Sequence, residues 1–324
     1  MIGLGHQACT DHLPAVTASD HAELVAICDT DPVALASVGR EYTVPSYRDA
    51  AAMFAEQNLD FVVVAVPHHA GAPIIRTAAE HGVHVLKEKP LATSLPEARA
   101  LAACCAEAGI EVMVTMQRRF NPIYAAFDDL AERIGRLYHL QATYTLSVDP
   151  AEGWRGHTRL AGGGCLLDMG YHVVDMLLWY FGMPSQVLAH CSATARPEYD
   201  YDAEDTATLT LGYNSGMVGT VLLSRCMAPK TEILRVTGTD GAVQLERGQI
   251  RRLDRTGTVV ESLTREQSWP TAAVAQVNHF CRVLAGTRAN TAGPESHLAH
   301  AALIHAAYTS AAEGRFIDPR KVME

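Results

Sequence analysis

Asp168 and His172 stand four residues apart in the segment Cys165-Leu166-Leu167-Asp168-Met169-Gly170-Tyr171-His172. A helix predicted over 165–181 puts both on one face. An imidazole titrates near neutrality, so His172 can take a proton from a hydroxyl whose carbon loses a hydride, or return it in the reverse direction. The nearby carboxylate can orient the ring or hydrogen-bond a polyol. Lys89 follows a predicted strand, at the carboxyl end where open α/β sheets bind ligands, and its ammonium can stabilise a developing alkoxide. Taken singly, such patterns are also what a solvated helix face or an ordinary turn produces.

A second constellation opens the chain. Gly3-Leu4-Gly5-His6-Gln7-Ala8 matches G-x-G-x-x-G/A. Glycines there permit a tight turn and close backbone approach, and the N-terminus of the following helix can face a pyrophosphate. A predicted strand ends in Asp29, at about the 20-residue distance where an acidic side chain binds a ribose 2′-hydroxyl. A carboxylate at that place repels a 2′-phosphate and Asp31 adds to the field, so NAD is expected ahead of NADP. The competing reading makes Asp29 the cap of the next helix, in an Asp-x-Pro arrangement. Only Met1 and Ile2 precede Gly3, where a strand of about five residues is usual. Either the central strand is short or the true start lies upstream.

The elements that must position these residues alternate through the first third. Apolar runs at 24–28, 61–66, 84–86 and 112–114 read as strands buried on both faces, with helices at 32–41, 48–56, 70–81 and 94–108 between them. That alternation is a doubly wound α/β sheet. Beyond about residue 120 the pattern changes. A one-side-wet strand covers 137–148, and strands at 186–195, 205–213, 217–225, 231–238 and 242–246 succeed one another across turns such as Asn214-Ser215-Gly216. This run is expected to form a large, mostly antiparallel open sheet. Helices at 271–285 and 296–313 close the chain. The expected division is a dinucleotide-binding domain at 1–118 and a substrate-binding and oligomerisation domain at 119–324, with the last helices able to pack back on the first.

With 324 residues, the chain suits two domains. A hydrophobic fraction of 48%, a charged fraction of 19% and a net charge of −10 describe a globular protein without a polybasic stripe for nucleic acid. No membrane span or signal segment is read, and a cytoplasmic protein is expected. The eight cysteines show no C-x-x-C spacing and read as small buried hydrophobes. His297, His300 and His305 on the last helix read as a surface face, and no metal is expected.

Glu88-Lys89-Pro90 ends the block His81-Gly82-Val83-His84-Val85-Leu86-Lys87-Glu88-Lys89-Pro90-Leu91-Ala92, and Gly162-Gly163-Gly164 opens the block that runs to His172. With Pro67, Gln117-Arg118-Arg119-Phe120-Asn121-Pro122 and Trp154-Arg155, these resemble the Gfo/Idh/MocA family, the glucose–fructose oxidoreductase and inositol dehydrogenase type, over nearly the whole chain. The resemblance implies an NAD(P)-dependent oxidoreductase acting on a carbinol or keto carbon of a sugar, sugar derivative or cyclitol. It implies Lys89, Asp168 and His172 as the catalytic group, with His172 as proton acceptor or donor. It places Gly3, Leu4, Gly5, His6, Gln7, Asp29, Ala65, Pro67, His69, Glu88, Lys89 and Gln117 at the cofactor. Substrate contacts then fall to Lys89, Arg118, Trp154, Arg155, Asp168 and His172, although Trp154 and Arg155 read equally as a loop anchor. Two departures stand out: Gly71 occupies a position where the family commonly has a His, and the segment from Gly5 to His12 is one residue longer than usual. Other unsaturated centres (an imine or a tetrapyrrole) and a non-catalytic regulatory sensor are the alternatives. The sensor should have lost part of the Lys89, Asp168 and His172 set, and the other reductases should not need it. A homodimer or homotetramer is expected, since a broad open sheet face invites a partner subunit.

Overall fold

The computed structural model describes residues 1–265 and 268–324, which form two compact units. The first comprises Met1–Phe120 and Trp269–His297, the second Asn121–Ser268 and Leu298–Glu324.

In the first unit β1 (Ile27–Cys28) pairs in parallel with β2 (Ser46–Tyr47), while β3 (Phe61–Val64), β4 (His84–Lys87) and β5 (Val112–Val114) form a second parallel set. Ile2 bridges Cys28 on one side and Val64 on the other. The spatial order is therefore β2, β1, the 1–2 segment, β3, β4, β5, and the strand order reverses at the 1–2 segment. Ligands of open α/β sheets bind outside the strand ends at such a reversal. The short central strand holds because its backbone is satisfied on both sides: Gly3 N donates to Cys28 O at 2.8 Å and Ala65 N to Ile2 O at 2.8 Å. The strand predicted at 24–28 pairs with β2 only at Ile27–Cys28. Helices α1 (Leu13–Thr17), α2 (Pro32–Tyr42), α3 (Ala50–Glu56), α4 (His68–Glu80) and α5 (Leu95–Ala108) connect the strands. Asp31, Asp49 and Ser94 cap α2, α3 and α5 through their side chains.

The second unit holds α6 (Pro122–Ala125), α7 (Phe127–Ala131), α8 (Thr158–Ala161), α9 (Gly170–Phe181) and one eight-stranded sheet. Its strands are β6 (Leu137–Ser147), β7 (Gln186–Ser192), β8 (Thr206–Gly212), β9 (Val218–Ser224), β10 (Cys226–Gly238), β11 (Gly241–Glu246), β12 (Gln249–Asp254) and β13 (Val259–Thr264). Their order is β13-β12-β11-β10-β6-β9-β8-β7, antiparallel throughout except for β6 against β9. β12 and β13 are absent from the sequence reading because Arg251-Arg252 and Glu261 mask their alternation. Arg252 Nε lies 3.4 Å from Glu261 across the hairpin, and Arg251 pairs with Glu246 on β11. Leu140, Val221, Leu209 and Leu234 face inward and are buried, while Gln141, Thr220, Thr210 and Arg235 at the paired positions face out and are exposed.

Three helices end the chain: α10 (Ser268–Leu284), α11 (Pro294–Glu313) and α12 (Pro319–Met323). α10 and the turn after it belong to the first unit. Phe280 meets Phe61 edge-on at 5.4 Å, and Asn290 donates to Val112 O at 2.9 Å. α11 is only in part the surface face expected of its histidines: His305 is exposed. His297 and His300 are buried, and His300 Nε2 lies 2.9 Å from the buried Asp175 Oδ1 on α9, with Tyr171 stacked on its ring. His300, on the part of α11 that belongs to the second unit, has in Asp175 the polar partner that a buried imidazole needs. The cysteine reading is also corrected in part: Cys28, Cys105 and Cys165 are buried, but Cys9 and Cys191 are exposed. Among the described residues no helix is long and apolar enough to cross a membrane.

Candidate active site

The glycine turn of the first unit has the shape its sequence demands. Gly3 adopts φ +88°, and a Cβ there would lie 2.4 Å from Ala65 O, so the turn passes against the end of β3 with no room for a side chain. At Gly5 a Cβ would meet nothing within 4 Å: this residue opens onto free space, and helical structure starts at residue 6. Leu4 N donates to Asp29 Oδ2 at 2.6 Å, and Asp31 N donates to Asp29 Oδ1 at 2.9 Å. Asp29 thus braces the turn, while the cap of α2 is Asp31, whose carboxylate accepts from Val33 N. Asp29 is only half-buried, so its remaining lone pairs stay accessible to a ribose hydroxyl. A pyrophosphate cradle at Gly5 with an acidic residue at the second strand fits a bound dinucleotide.

The segment between Gly5 and His12 contains a break from regular α-helix. Ala8–His12 is a π-helical turn, whose hydrogen bonds span one residue more than those of an α-helix. His12, buried at its end, lies with Nε2 2.9 Å from Glu88 Oε2, and the Thr115 hydroxyl donates to the same oxygen at 2.6 Å. Burial alone would raise the Glu88 carboxyl. The hydrogen bond and charge of His12, the charge of Lys89 and the Thr115 hydroxyl outweigh it and hold the group at about 2. Glu88, expected at the cofactor, is therefore an anchor between β4, β5 and the helix after the glycine turn. Gln7 and Gln117, also expected at the cofactor, both donate to Asp11 Oδ2, at 2.5 and 3.2 Å. His6 is exposed.

Lys89 is half-buried directly after β4, and the Lys89–Pro90 peptide is cis. Pro67 caps α4, on which His68 is buried and His69 exposed; Ala65 and Pro67 are half-buried. Position 71 faces Lys87: a Cβ there would lie 2.5 Å from Lys87 Cε. The Lys87 side chain takes the space that a larger residue at 71 would need. It is 1% exposed, and its ammonium donates to Glu88 O at 2.5 Å. Burial lowers it to about 8. Arg118, expected at the substrate, is buried within the first unit, with its guanidinium 5.6 Å from the Trp269 ring centroid.

In the second unit Asp168 and His172 do not share a helix as predicted. Residues 165–169 form turns and α9 begins at Gly170, so Asp168 precedes the helix and His172 sits in its first turn. The delayed start follows from how the preceding loop is anchored. A Cβ on Gly164 would lie 2.0 Å from Glu204 O, and the buried Glu204 carboxylate accepts from Gly164 N at 2.6 Å, Leu166 N at 2.9 Å and the Tyr308 hydroxyl at 2.8 Å. Burial, and then the Glu204 charge, push the Tyr308 phenol well above its ordinary range, so it stays a donor. Asp168 N still reaches Gly164 O at 2.9 Å, one helix-like bond within the turn. Both side chains are half-buried.

Arg155 meets Asp168: its Nε lies 3.3 Å from Asp168 Oδ2, and its guanidinium carbon stands 4.4 Å from the Trp154 ring centroid. Arg225, unmarked in the sequence reading, reaches the same Asp168 oxygen at 3.7 Å. His12 and Glu204 were missed as well. One buried His beside a glycine turn and one Glu in the acidic run Asp202-Ala203-Glu204-Asp205 leave no periodic signal.

Two family descriptions match the chain: "Oxidoreductase family, NAD-binding Rossmann fold" over residues 1–116 and "GFO/IDH/MocA C-terminal domain" over residues 130–244. The D-apiose dehydrogenase of Paraburkholderia graminis is 30% identical over 98% of this chain and 88% of its own. The D-xylose 1-dehydrogenase (NADP(+)) 2 of Haloferax volcanii is 32% identical over 72% of this chain and 70% of its own. Among solved structures, an oxidoreductase from Agrobacterium radiobacter in complex with NAD+, L-tartaric acid and magnesium superposes with a TM-score of 0.86 at 26% identity, covering 99% of this chain and 97% of that one.

Proposed function

The chain belongs to the Gfo/Idh/MocA oxidoreductase family, and from that premise we propose that it moves a hydride between NAD and a carbinol or keto carbon of a sugar, sugar derivative or cyclitol, with Lys89, Asp168 and His172 as its catalytic group. The bound nicotinamide supplies the hydride acceptor or donor. Gly3, Leu4 and Gly5 hold the pyrophosphate, Asp29 holds the adenosine ribose, and Ala65, Pro67, His69 and Lys89 line the rest of the cofactor site. In oxidation His172 accepts the hydroxyl proton, and in reduction it returns that proton to the alkoxide oxygen. Asp168 hydrogen-bonds the reacting polyol and orients it. The Lys89 ammonium steadies the charge that builds on the oxygen as the C–H bond breaks. Trp154 and Arg155 line the substrate side.

The observation that carries this reading is the turn before α9. Glu204 pins its backbone from behind, so that Asp168 and His172 project from a fixed support. NAD ahead of NADP follows from the carboxylate at Asp29, braced against Leu4 N. Residues 1–118 serve the cofactor and 119–324 serve the substrate and subunit contact, with α10 returned to the first unit. The outward, threonine-rich face of the eight-stranded sheet pairs two copies into a homodimer or into half of a homotetramer. No nucleic acid is bound, and the enzyme works in the cytoplasm.

The test is a titration of the purified protein with NADH and NADPH, followed by nicotinamide fluorescence. A panel of ketosugars, inososes, D-apiose and D-xylose is then assayed with the matching cofactor form. NADH binding with turnover of a panel member is the expected result. Tight binding without turnover on the whole panel would favour the regulatory sensor instead.

A further inference from the structure

Arg225 fills the one-residue break between β9 and β10. Its backbone is fixed on both sides: Arg225 N donates to Asp205 O at 2.9 Å, and Val148 N donates to Arg225 O at 2.9 Å. The side chain is 5% exposed. Its Nη1 donates to the carbonyl of Arg155 at 2.9 Å, and its Nη2 lies 3.7 Å from Asp168 Oδ2. Arg155 Nε approaches the same oxygen at 3.3 Å, but from a side chain that is 47% exposed.

The two guanidiniums are not equivalent. An exposed ion pair is screened by water and loses entropy on ordering, so Arg155 alone holds a carboxylate weakly. A buried guanidinium cannot shed its proton, and without a carboxylate it is an uncompensated charge. Arg225 therefore needs Asp168 as much as Asp168 needs a fixed partner. The same guanidinium also ties the Trp154-Arg155 turn to the end of β9, joining the substrate-side loop and Asp168 to one rigid strand.

We infer that Arg225 is a positioning residue for hydride transfer: it sets the aim of the Asp168 carboxylate and the seat of the Trp154-Arg155 turn. The inference rests on the proposed catalytic role of Asp168. Displacing a reacting group by about 1 Å costs on the order of 10²-fold in rate, which is the scale of effect expected when the clamp is removed.

A double-mutant cycle on the full chain tests this, using Arg225→Gln, which leaves the Arg155 carbonyl a donor, Asp168→Asn and their combination, with Arg225→Met and Arg225→Lys beside them. Turnover is read with the panel member that the parent enzyme reduces fastest, and NADH affinity by fluorescence. Arg225→Met is expected to lower kcat about 10–100-fold with NADH affinity held within about twofold, because the clamp belongs to the second unit and the glycine turn to the first. Arg225→Lys should recover much of the loss. Arg225→Gln, which discards the charge, should share the deficit, and it carries the test should Arg225→Met fail to fold. The combined variant should be no slower than Asp168→Asn alone, since residues that act as a unit are non-additive. A kcat near the parent's in both Arg225→Met and Arg225→Gln, with Asp168→Asn slow, would overturn the inference and leave the catalytic reading standing. Multiplying losses in the double variant would overturn it too. A fully active Asp168→Asn would instead remove the catalytic reading itself, and the inference with it.

Discussion

His172 and Asp29 carry the two most exacting demands on single side chains. His172→Ala is expected to lower turnover by roughly 10²–10⁴-fold, the usual worth of a positioned acid–base group, while NADH binding stays close to that of the parent in a fluorescence titration. Asp29→Ala is expected to weaken NADH and narrow its advantage over NADPH, read from the two dissociation constants measured side by side. Since Asp29 also accepts the Leu4 N–H, part of that loss comes from a loosened turn, and Asp29→Asn should lose less NADH affinity than Asp29→Ala. Lys87 makes a third, opposite kind of statement. Its folded value, about 8, lies below the ordinary 10.5, so between those values the unfolded chain binds more protons and stability rises with pH. Below about 8 the buried ammonium is a standing penalty. Lys87→Met should therefore be more stable than the parent in urea at pH 7, and the gain should shrink as pH rises from about 8 toward 10.5. A gain that is flat across this range would show that the ammonium is not penalised by burial.

Among the elements, the turn from Gly162 to Met169 and the helix it launches matter most. The sequence pattern reads as one helix from 165 because Leu166, Leu167 and the later apolar residues keep helical spacing. The structure holds the first five residues in turns, because the loop backbone is bonded to Glu204, 38 to 40 residues away. Gly164→Ala is expected to cost about 1–3 kcal/mol, the range for forcing an extra carbon into packed space, measured by denaturant unfolding. The steric cause is the contact with the Glu204 backbone, which does not yield as a flexible side chain would. The π-helical turn at Ala8–His12 is the counterpart in the first unit. It ends at His12 and delivers that side chain to Glu88.

At the scale of the molecule, the chain crosses from the first unit to the second near Phe120 and returns for Trp269–His297. The broad sheet of the second unit leaves Gln141, Thr143, Thr208, Thr210 and Thr220 on its outward side, interspersed with the half-buried Leu188, Leu222 and Ile233. Light scattering at micromolar concentration is expected to give the mass of a dimer or tetramer, and Thr220→Lys, which puts charge at the centre of that face, is expected to shift it toward the monomer. A monomeric parent would defeat this proposal.

Some of this was legible in one dimension. Unbroken β-branched runs, glycine spacing and the Glu88-Lys89-Pro90 and Gly162-to-His172 blocks sufficed for the two-part α/β architecture, the family, the cofactor and the residues to suspect, because hydrophobic period and local turn chemistry are properties of short segments. What lay beyond it were contacts between distant segments. Arg225 reaching Asp168, Glu204 setting where α9 begins, His12 sealing Glu88, and Asp175 partnering His300 all join positions dozens of residues apart. A buried charge finds its partner through space and not along the chain, so only the tertiary structure decided which of the suspected residues are held, and by what.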